Sequence, residues 1–130
     1  MVQAVNKQPD AGRARHTERV LSSAVARAAE FLAVSNRDLS EILGLSEASV
    51  SRLLKGQYQL KQGRKEFELG ALFVRLFRSL DAMTGGDDRS SRSWLRAENL
   101  VLHGEPLKLI KSIAGLMGVV TYVDSRRAKL

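Results

Sequence analysis

The sequence contains no cysteine, which excludes disulfide bridges and thiolate metal sites. It has only two prolines, and aromatic residues make up 5% of the chain, so leucine, valine and alanine supply most of the apolar bulk and favour helices. No apolar run approaches the roughly twenty residues that a membrane-spanning helix needs. We therefore predict an all-α protein that resides in the reducing cytoplasm.

Residue types that carry out catalysis are also scarce. The two histidines, His16 and His103, lie far apart in the sequence and lack the spacing of metal ligands. The pair Gly85-Gly86 has no lysine after it and does not form a phosphate-binding loop. Without a cysteine nucleophile, a histidine–carboxylate pair or a metal cluster, the sequence predicts a protein that is not an enzyme and needs no cofactor.

The most informative stretch, 35–56, has the pattern of two short helices separated by a tight turn. Ser35 and Ser46 stand at the N-cap positions, and Gly44 supplies the turn between the helices. Apolar residues recur three and four positions apart and form the predicted inner faces: Leu39, Ile42, Leu43, Val50, Leu53 and Leu54. This spacing predicts a helix-turn-helix.

The second of these helices would present mostly small residues on its outward face, which suits entry into the major groove of DNA. Arg52 can reach a guanine edge, and Ala48 can touch a thymine methyl group. The predicted DNA-binding residues are Ser46, Glu47, Ala48, Ser49, Ser51, Arg52 and Lys55. The net charge of +7 favours a polyanionic partner. The alternative is a simple helical hairpin within a bundle, with Arg52 solvated.

On either side of this stretch, the sequence predicts a disordered N-terminal arm over 1–14 and a helix that begins at Thr17 with that residue as its cap. This helix would complete a helix-turn-helix domain over 15–64. The connector after Gly56 is either a solvated loop or a source of contacts to DNA phosphates, and its candidates for the second role are Tyr58, Lys61, Arg64 and Lys65.

The segment 65–86 is predicted to form a long helix with two apolar stripes. One stripe contains Leu69, Leu72, Phe73, Leu76, Leu80 and Met83, and the other contains Phe67, Gly70, Val74 and Phe77. A helix that is apolar on most sides is either the centre of a bundle or the element that joins two halves or two copies of a protein.

The remaining segment, 87–130, is predicted to form a smaller helical domain. Asp87 or Asp88 would cap its first helix, Pro106 would begin a short helix that ends at Lys111, and Ser112 would cap the last one. The last helix should bury Ile113, Leu116, Met117, Val119, Val120 and Val123. Its two glycines, Gly115 and Gly118, are expected to allow close approach of a neighbour, and the basic tail 124–130 is expected to be loose.

This last domain resembles the C-terminal domain of the Xre/MbcA/ParS antitoxins. The matching residues, in order, are Trp94, Leu95, Asn99, Gly104, Pro106, Leu107, Leu109, Gly115, Val119 and Val123. With a helix-turn-helix of the Cro/Xre type in front, the resemblance covers the chain from about Thr17 to its end.

The resemblance implies an antitoxin that neutralises a toxin of the NAD-consuming RES class and represses its own operon. It also implies a homodimer that reads an inverted repeat and forms larger complexes with the toxin. Arg126 and Arg127 are expected at the mouth of the toxin's active-site cleft, with a solvated tail as the alternative, whereas Trp94 is expected in the core. The full set of predicted toxin-binding residues is Asn99, His103, Tyr122, Arg126, Arg127 and Lys129. Asn99 and His103 can alternatively cap their own loop.

A second interpretation is a stand-alone dimeric helix-turn-helix repressor whose C-terminal segment only dimerises. An adjacent reading frame that encodes a toxin-like protein would distinguish the two interpretations, since only an antitoxin requires such a partner.

Overall fold

A computed structural model describes residues 11–128, which form seven α-helices joined by turns and short loops. These are α1 (Ala11–Leu32), α2 (Asn36–Leu43), α3 (Glu47–Leu54), α4 (Lys65–Met83), α5 (Asp88–Arg96), α6 (Pro106–Leu109) and α7 (Ile113–Ala128). The all-α class predicted from the sequence is confirmed for this part of the chain. None of the described helices is long and apolar enough to cross a membrane.

Helix α1 begins at Ala11, inside the predicted arm, and not at Thr17. The alanines and arginines that precede Thr17 are good helix formers, which explains the earlier start. Thr17 itself lies within the helix, where its hydroxyl donates a hydrogen bond to the carbonyl oxygen of Arg13 at 3.0 Å. Residues 1–10 lie outside the described part of the chain, so the arm stays a prediction there.

Helix α4 is the centre of the fold. One of its stripes faces α1, which approaches closely because residue 70 is a glycine. A Cβ at this position would lie 3.2 Å from Val25 Cγ2 on α1 and 2.8 Å from Leu60 Cδ1 in the connector. Farther along, Phe77 stacks on Phe31 of α1 with ring centroids 5.6 Å apart. Helix α4 also packs along α7. Its two stripes therefore join the N-terminal and C-terminal parts of one chain.

Capping signals in the C-terminal part are confirmed. The carboxylate of Asp87 caps α5, and Pro106 is the first residue of α6. The hydroxyl of Ser112 accepts a hydrogen bond at 3.0 Å from a backbone N–H in the first turn of α7. Helix α6 ends at Leu109 and not at Lys111.

The two glycines of α7 differ in their surroundings. A Cβ at Gly115 would overlap the backbone carbonyl oxygen of Leu109, so the predicted close approach is confirmed at this position. The same prediction is wrong for Gly118, where an added Cβ would meet nothing within 4 Å. Ile113 and Met117 were also expected in the core and are 58% and 46% exposed, because this side of α7 faces outward.

Candidate functional site

The geometry of the helix-turn-helix follows from its caps. The backbone N–H of Asp38 donates to the hydroxyl of Ser35 at 3.0 Å, and that of Ser49 donates to Ser46 at 3.1 Å. Between the helices, Gly44 adopts the left-handed conformation, with φ of 71°, that favours glycine. The caps and the turn fix the angle at which α3 leaves α2.

The inner face of α3 differs from the prediction at one position. Val50 and Leu53 are fully buried, as expected, but Leu54 is 36% exposed. Leu54 lines a shallow groove against the outer side of α1, with Arg27 among the other lining residues. The reason is geometric: the core contact of this short helix is too narrow to cover two adjacent leucines.

The seven residues predicted to bind DNA all lie on α3 or its caps. Ser46, Glu47, Ala48, Arg52 and Lys55 are exposed, and the side chains of Ser49 and Ser51 are partly covered. A convex helix that presents short side chains around one arginine can approach the floor of a major groove.

Arg52 is held by neighbours on α3 and in the connector. Its Nη2 donates to the hydroxyl of Ser49 at 3.1 Å, and that hydroxyl also accepts from Ser46 at 3.1 Å. The guanidinium lies over the ring of Tyr58, 5.9 Å from its centroid, in a cation–π contact. Tyr58, which the sequence suggested as a phosphate contact, thus positions Arg52. Only the folded path of the connector brings the two together.

The connector itself is anchored on α1. The side chain of Leu60 is fully buried, and its backbone N–H donates to the hydroxyl of Ser22 at 2.8 Å. The backbone N–H of Gln62 donates to the carboxylate of Glu18 at 2.9 Å, and Lys61 lies 3.8 Å from the same carboxylate. Two further basic residues, Arg64 at the end of the connector and Lys65 at the start of α4, are exposed.

In the C-terminal part, Asn99 caps its own loop. Its backbone N–H and carbonyl pair with those of Gly104 at 2.9 and 3.2 Å. Its side-chain oxygen accepts from the backbone N–H groups of Val101 and Leu102 at 3.0 and 2.9 Å. Of the two roles left open by the sequence, the loop cap is the one that the contacts show. His103 is exposed and has a positive φ of 62°.

Tyr122 packs within its own domain. Its ring stacks on Trp94 with centroids 6.4 Å apart and planes 14° apart, and both side chains are half-buried. This stack links α5 to α7 and agrees with the expectation that Trp94 serves the domain core.

The basic tail is more ordered than the sequence suggested, since α7 continues to Ala128. The carboxylate of Asp124 accepts hydrogen bonds from the Ser79 hydroxyl and from Arg75, both on α4. These two contacts, the Ser79 hydroxyl first, lower the pKa of Asp124. Arg126 and Arg127 are both exposed, and Arg127 also donates a hydrogen bond to Ser79 at 3.1 Å. Lys129 lies outside the described residues.

Polar contacts also clamp the C-terminal part to the helix-turn-helix. The Nζ of Lys111 lies 2.8 Å from a carboxylate oxygen of Asp38 and 2.8 Å from one of Glu41, both on α2. Arg92 and Arg96 donate to backbone carbonyl oxygens at the end of α1, at 2.8 and 2.7 Å. The contact with Lys111 lowers the pKa of Asp38, and the two carboxylates raise the pKa of Lys111.

We expect Lys111→Met to lower the free energy of unfolding by about 0.5–1 kcal/mol, the range of partly exposed ion pairs. Because the pKa of Asp38 is lowered by folding, this contribution exists above the ordinary carboxyl pKa of about 3.9 and vanishes as the pH falls further. It should also vanish at high pH, as the pH rises through the raised pKa of Lys111.

Urea denaturation of the parent and the variant, from about pH 3 to pH 8, measures this difference. Lys108→Met is the matched control, because Lys108 is 75% exposed and lies 3.8 Å from its partner Glu105. An equal loss in both variants at neutral pH would contradict the clamp.

No cluster of three or more histidine, cysteine, aspartate or glutamate side chains that could hold a metal occurs among residues 11–128. The geometry has a helix-turn-helix in the N-terminal part and a small helical domain clamped to it. The family model described as the antitoxin Xre-like helix-turn-helix domain matches residues 15–75. The model described as the antitoxin Xre/MbcA/ParS C-terminal toxin-binding domain matches residues 79–129.

The chain therefore belongs to the Xre/MbcA/ParS family of antitoxins, as the resemblance predicted. It has the two domains of an antitoxin from a toxin–antitoxin system, a DNA-binding helix-turn-helix and a toxin-binding domain. No individual curated protein matches it.

Proposed function

We propose that this antitoxin neutralises a NAD-consuming toxin of the RES class and represses its own operon by binding promoter DNA. It acts by binding and not by catalysis, in the cytoplasm, where both toxin and promoter are accessible. The RES assignment comes from the resemblance of residues 94–123 to the family pattern, and the repressor role comes from the surface of α3.

The observation that carries the DNA-binding role is the outward face of α3. Its small side chains surround Arg52, whose guanidinium is held by Ser49 and Tyr58. A preordered arginine loses less conformational freedom when it pairs with a guanine edge. The exposed Arg64 and Lys65 would add contacts to phosphates.

We propose further that the antitoxin is a homodimer. Helix α1 leaves Val20 52% exposed and Phe31 37% exposed, beside a groove of about 530 Å³ between α1 and α4. An apolar face of this kind suits a second copy of the chain. Two-fold symmetry would then place two copies of α3 on an inverted repeat, about one DNA turn apart.

The experiment that tests the proposed function is co-expression of this chain with the protein encoded by the adjacent reading frame. Only the neighbour carries a tag, and light scattering gives the mass of the purified product. We expect a stable heteromeric complex that contains two or more copies of the antitoxin and shifts a promoter fragment in a gel. A second arm measures NAD consumption by the neighbour with and without the antitoxin.

Two outcomes would contradict the proposal in different ways. A homodimer of this chain that shifts the promoter but retains no neighbour would establish the stand-alone repressor instead. A complex whose toxin component consumes no NAD when free would keep the antitoxin role and overturn the RES assignment.

A further inference from the structure

The loop between α5 and α6 is a rigid platform with an apolar tip. Two backbone hydrogen bonds between Asn99 and Gly104 close it, and the side-chain oxygen of Asn99 accepts hydrogen bonds from the backbone N–H groups of Val101 and Leu102. Gly104 also packs tightly, since a Cβ there would lie 3.2 Å from the Leu109 side chain. These contacts fix the path of the backbone on both sides of the tip.

The tip presents two large apolar side chains to solvent. Leu100 is 86% exposed and Val101 is 63% exposed. These are the two highest exposed fractions among the large apolar side chains of residues 11–128. A single exposed leucine needs no explanation, but an adjacent leucine and valine that are both largely exposed form an apolar patch of the kind that marks an interaction surface. Polar residues would serve a purely structural loop equally well.

We propose that Leu100 and Val101 form the apolar anchor with which the C-terminal domain binds its toxin. This inference rests on the proposed function and names the surface that carries it. The occupant is the toxin protein, because the family model for toxin binding spans residues 79–129 and includes the whole loop. The matching surface of the toxin is an apolar depression that receives both side chains.

The contacts of the basic tail support this choice. The sequence pointed to Arg126 and Arg127 at the toxin, and both side chains are exposed charged groups, Arg127 with one hydrogen bond to Ser79. Long arginine side chains on a rim contribute mainly to association rate and salt dependence, whereas buried apolar anchors limit dissociation. On this account Asn99 is a positioning residue that shapes the loop.

The test uses the full chain and the protein encoded by the adjacent reading frame, with the dissociation constant as the measured quantity. The variant is the double substitution Leu100→Ser and Val101→Ser. We expect it to weaken toxin binding by about thirtyfold or more, the effect of truncating an interface hot spot. Binding of promoter DNA and the thermal midpoint should stay at the parent's values, since both side chains are largely exposed.

The matched control is Ile113→Ser with Met117→Ser, which also replaces two exposed apolar residues of the same domain. It should change the dissociation constant less than about threefold, as peripheral interface residues do. An Asn99→Ala variant should weaken binding through a slower association and a faster dissociation, because the free loop is then less ordered.

Several results would overturn the inference. If the parent binds the neighbour and the Leu100/Val101 variant binds it equally well, the loop is not the anchor, although the proposed function stands. An equal loss in the control would place the contact elsewhere in the domain. If the variant binds the toxin normally but changes the oligomeric state of the free antitoxin, the tip contacts a second copy of the chain instead of the toxin. A parent that binds no neighbour overturns both the inference and the proposed function.

Discussion

Replacing Gly115 by alanine is expected to lower the free energy of unfolding by about 2–3 kcal/mol, the upper part of the range for overpacking. The added methyl group would overlap the carbonyl oxygen of Leu109, and that atom belongs to the backbone. It would also lie 2.9 Å from the hydroxyl of Ser112, which caps α7. The overlap can therefore be removed only if the backbone of the α6–α7 turn shifts.

The control for this prediction lies one turn farther along the same helix. Gly118→Ala meets open space and should raise the free energy of unfolding by about 0.5–1 kcal/mol, the difference in helix propensity between glycine and alanine. Urea denaturation of the two variants gives both values. If the two variants change the free energy of unfolding by the same amount, Leu109 does not contact α7 closely enough to exclude a methyl group at residue 115.

Replacing Arg52 by alanine is expected to weaken binding to the promoter operator by about 1–3 kcal/mol, which corresponds to a bidentate contact with one guanine. The lost binding free energy should come from one base position. Substituting that base in the operator should therefore weaken binding of the parent but not of the variant. Arg52→Lys should lose most of the same affinity, because lysine keeps the charge but not the planar pair of donors.

Fluorescence titrations with the operator and with an unrelated duplex measure this effect and its specificity. Arg64→Ala provides the comparison, since a phosphate contact should weaken binding to both duplexes alike and reduce the salt dependence. Arg52→Ala protein that binds the operator as tightly as the parent would show that the recognition face lies elsewhere. The thermal midpoint checks that loss of the contact with Tyr58 has not altered the fold.

The features that could be predicted from the sequence are those that depend on neighbours in the chain. The caps Ser35, Ser46 and Ser112 and the turn at Gly44 are of this kind, because each forms hydrogen bonds or adopts a conformation within a few residues. The order of the family pattern also located the toxin-binding domain, although no single motif in it is specific.

Features that depend on distant parts of the chain could not be predicted in this way. Gly115 and Gly118 look alike in the sequence, and only the path of the backbone at Leu109 distinguishes them. The tail was expected to be loose because it is basic, but Asp124 meets partners on α4 that lie far away in the sequence. The exposed tip at Leu100 and Val101 escaped notice because apolar residues are ordinarily assigned to a core.

Helix α4 belongs to both halves of the antitoxin. The match to the helix-turn-helix domain ends within it at residue 75, and the match to the toxin-binding domain begins within it at residue 79. Since α1 and α7 both pack on this helix, local unfolding at either end exposes apolar surface that belongs to the other domain. Opening of the chain at this helix therefore loosens the DNA-binding and the toxin-binding domain together. The resistance of the two domains to unfolding is then coupled through this one helix.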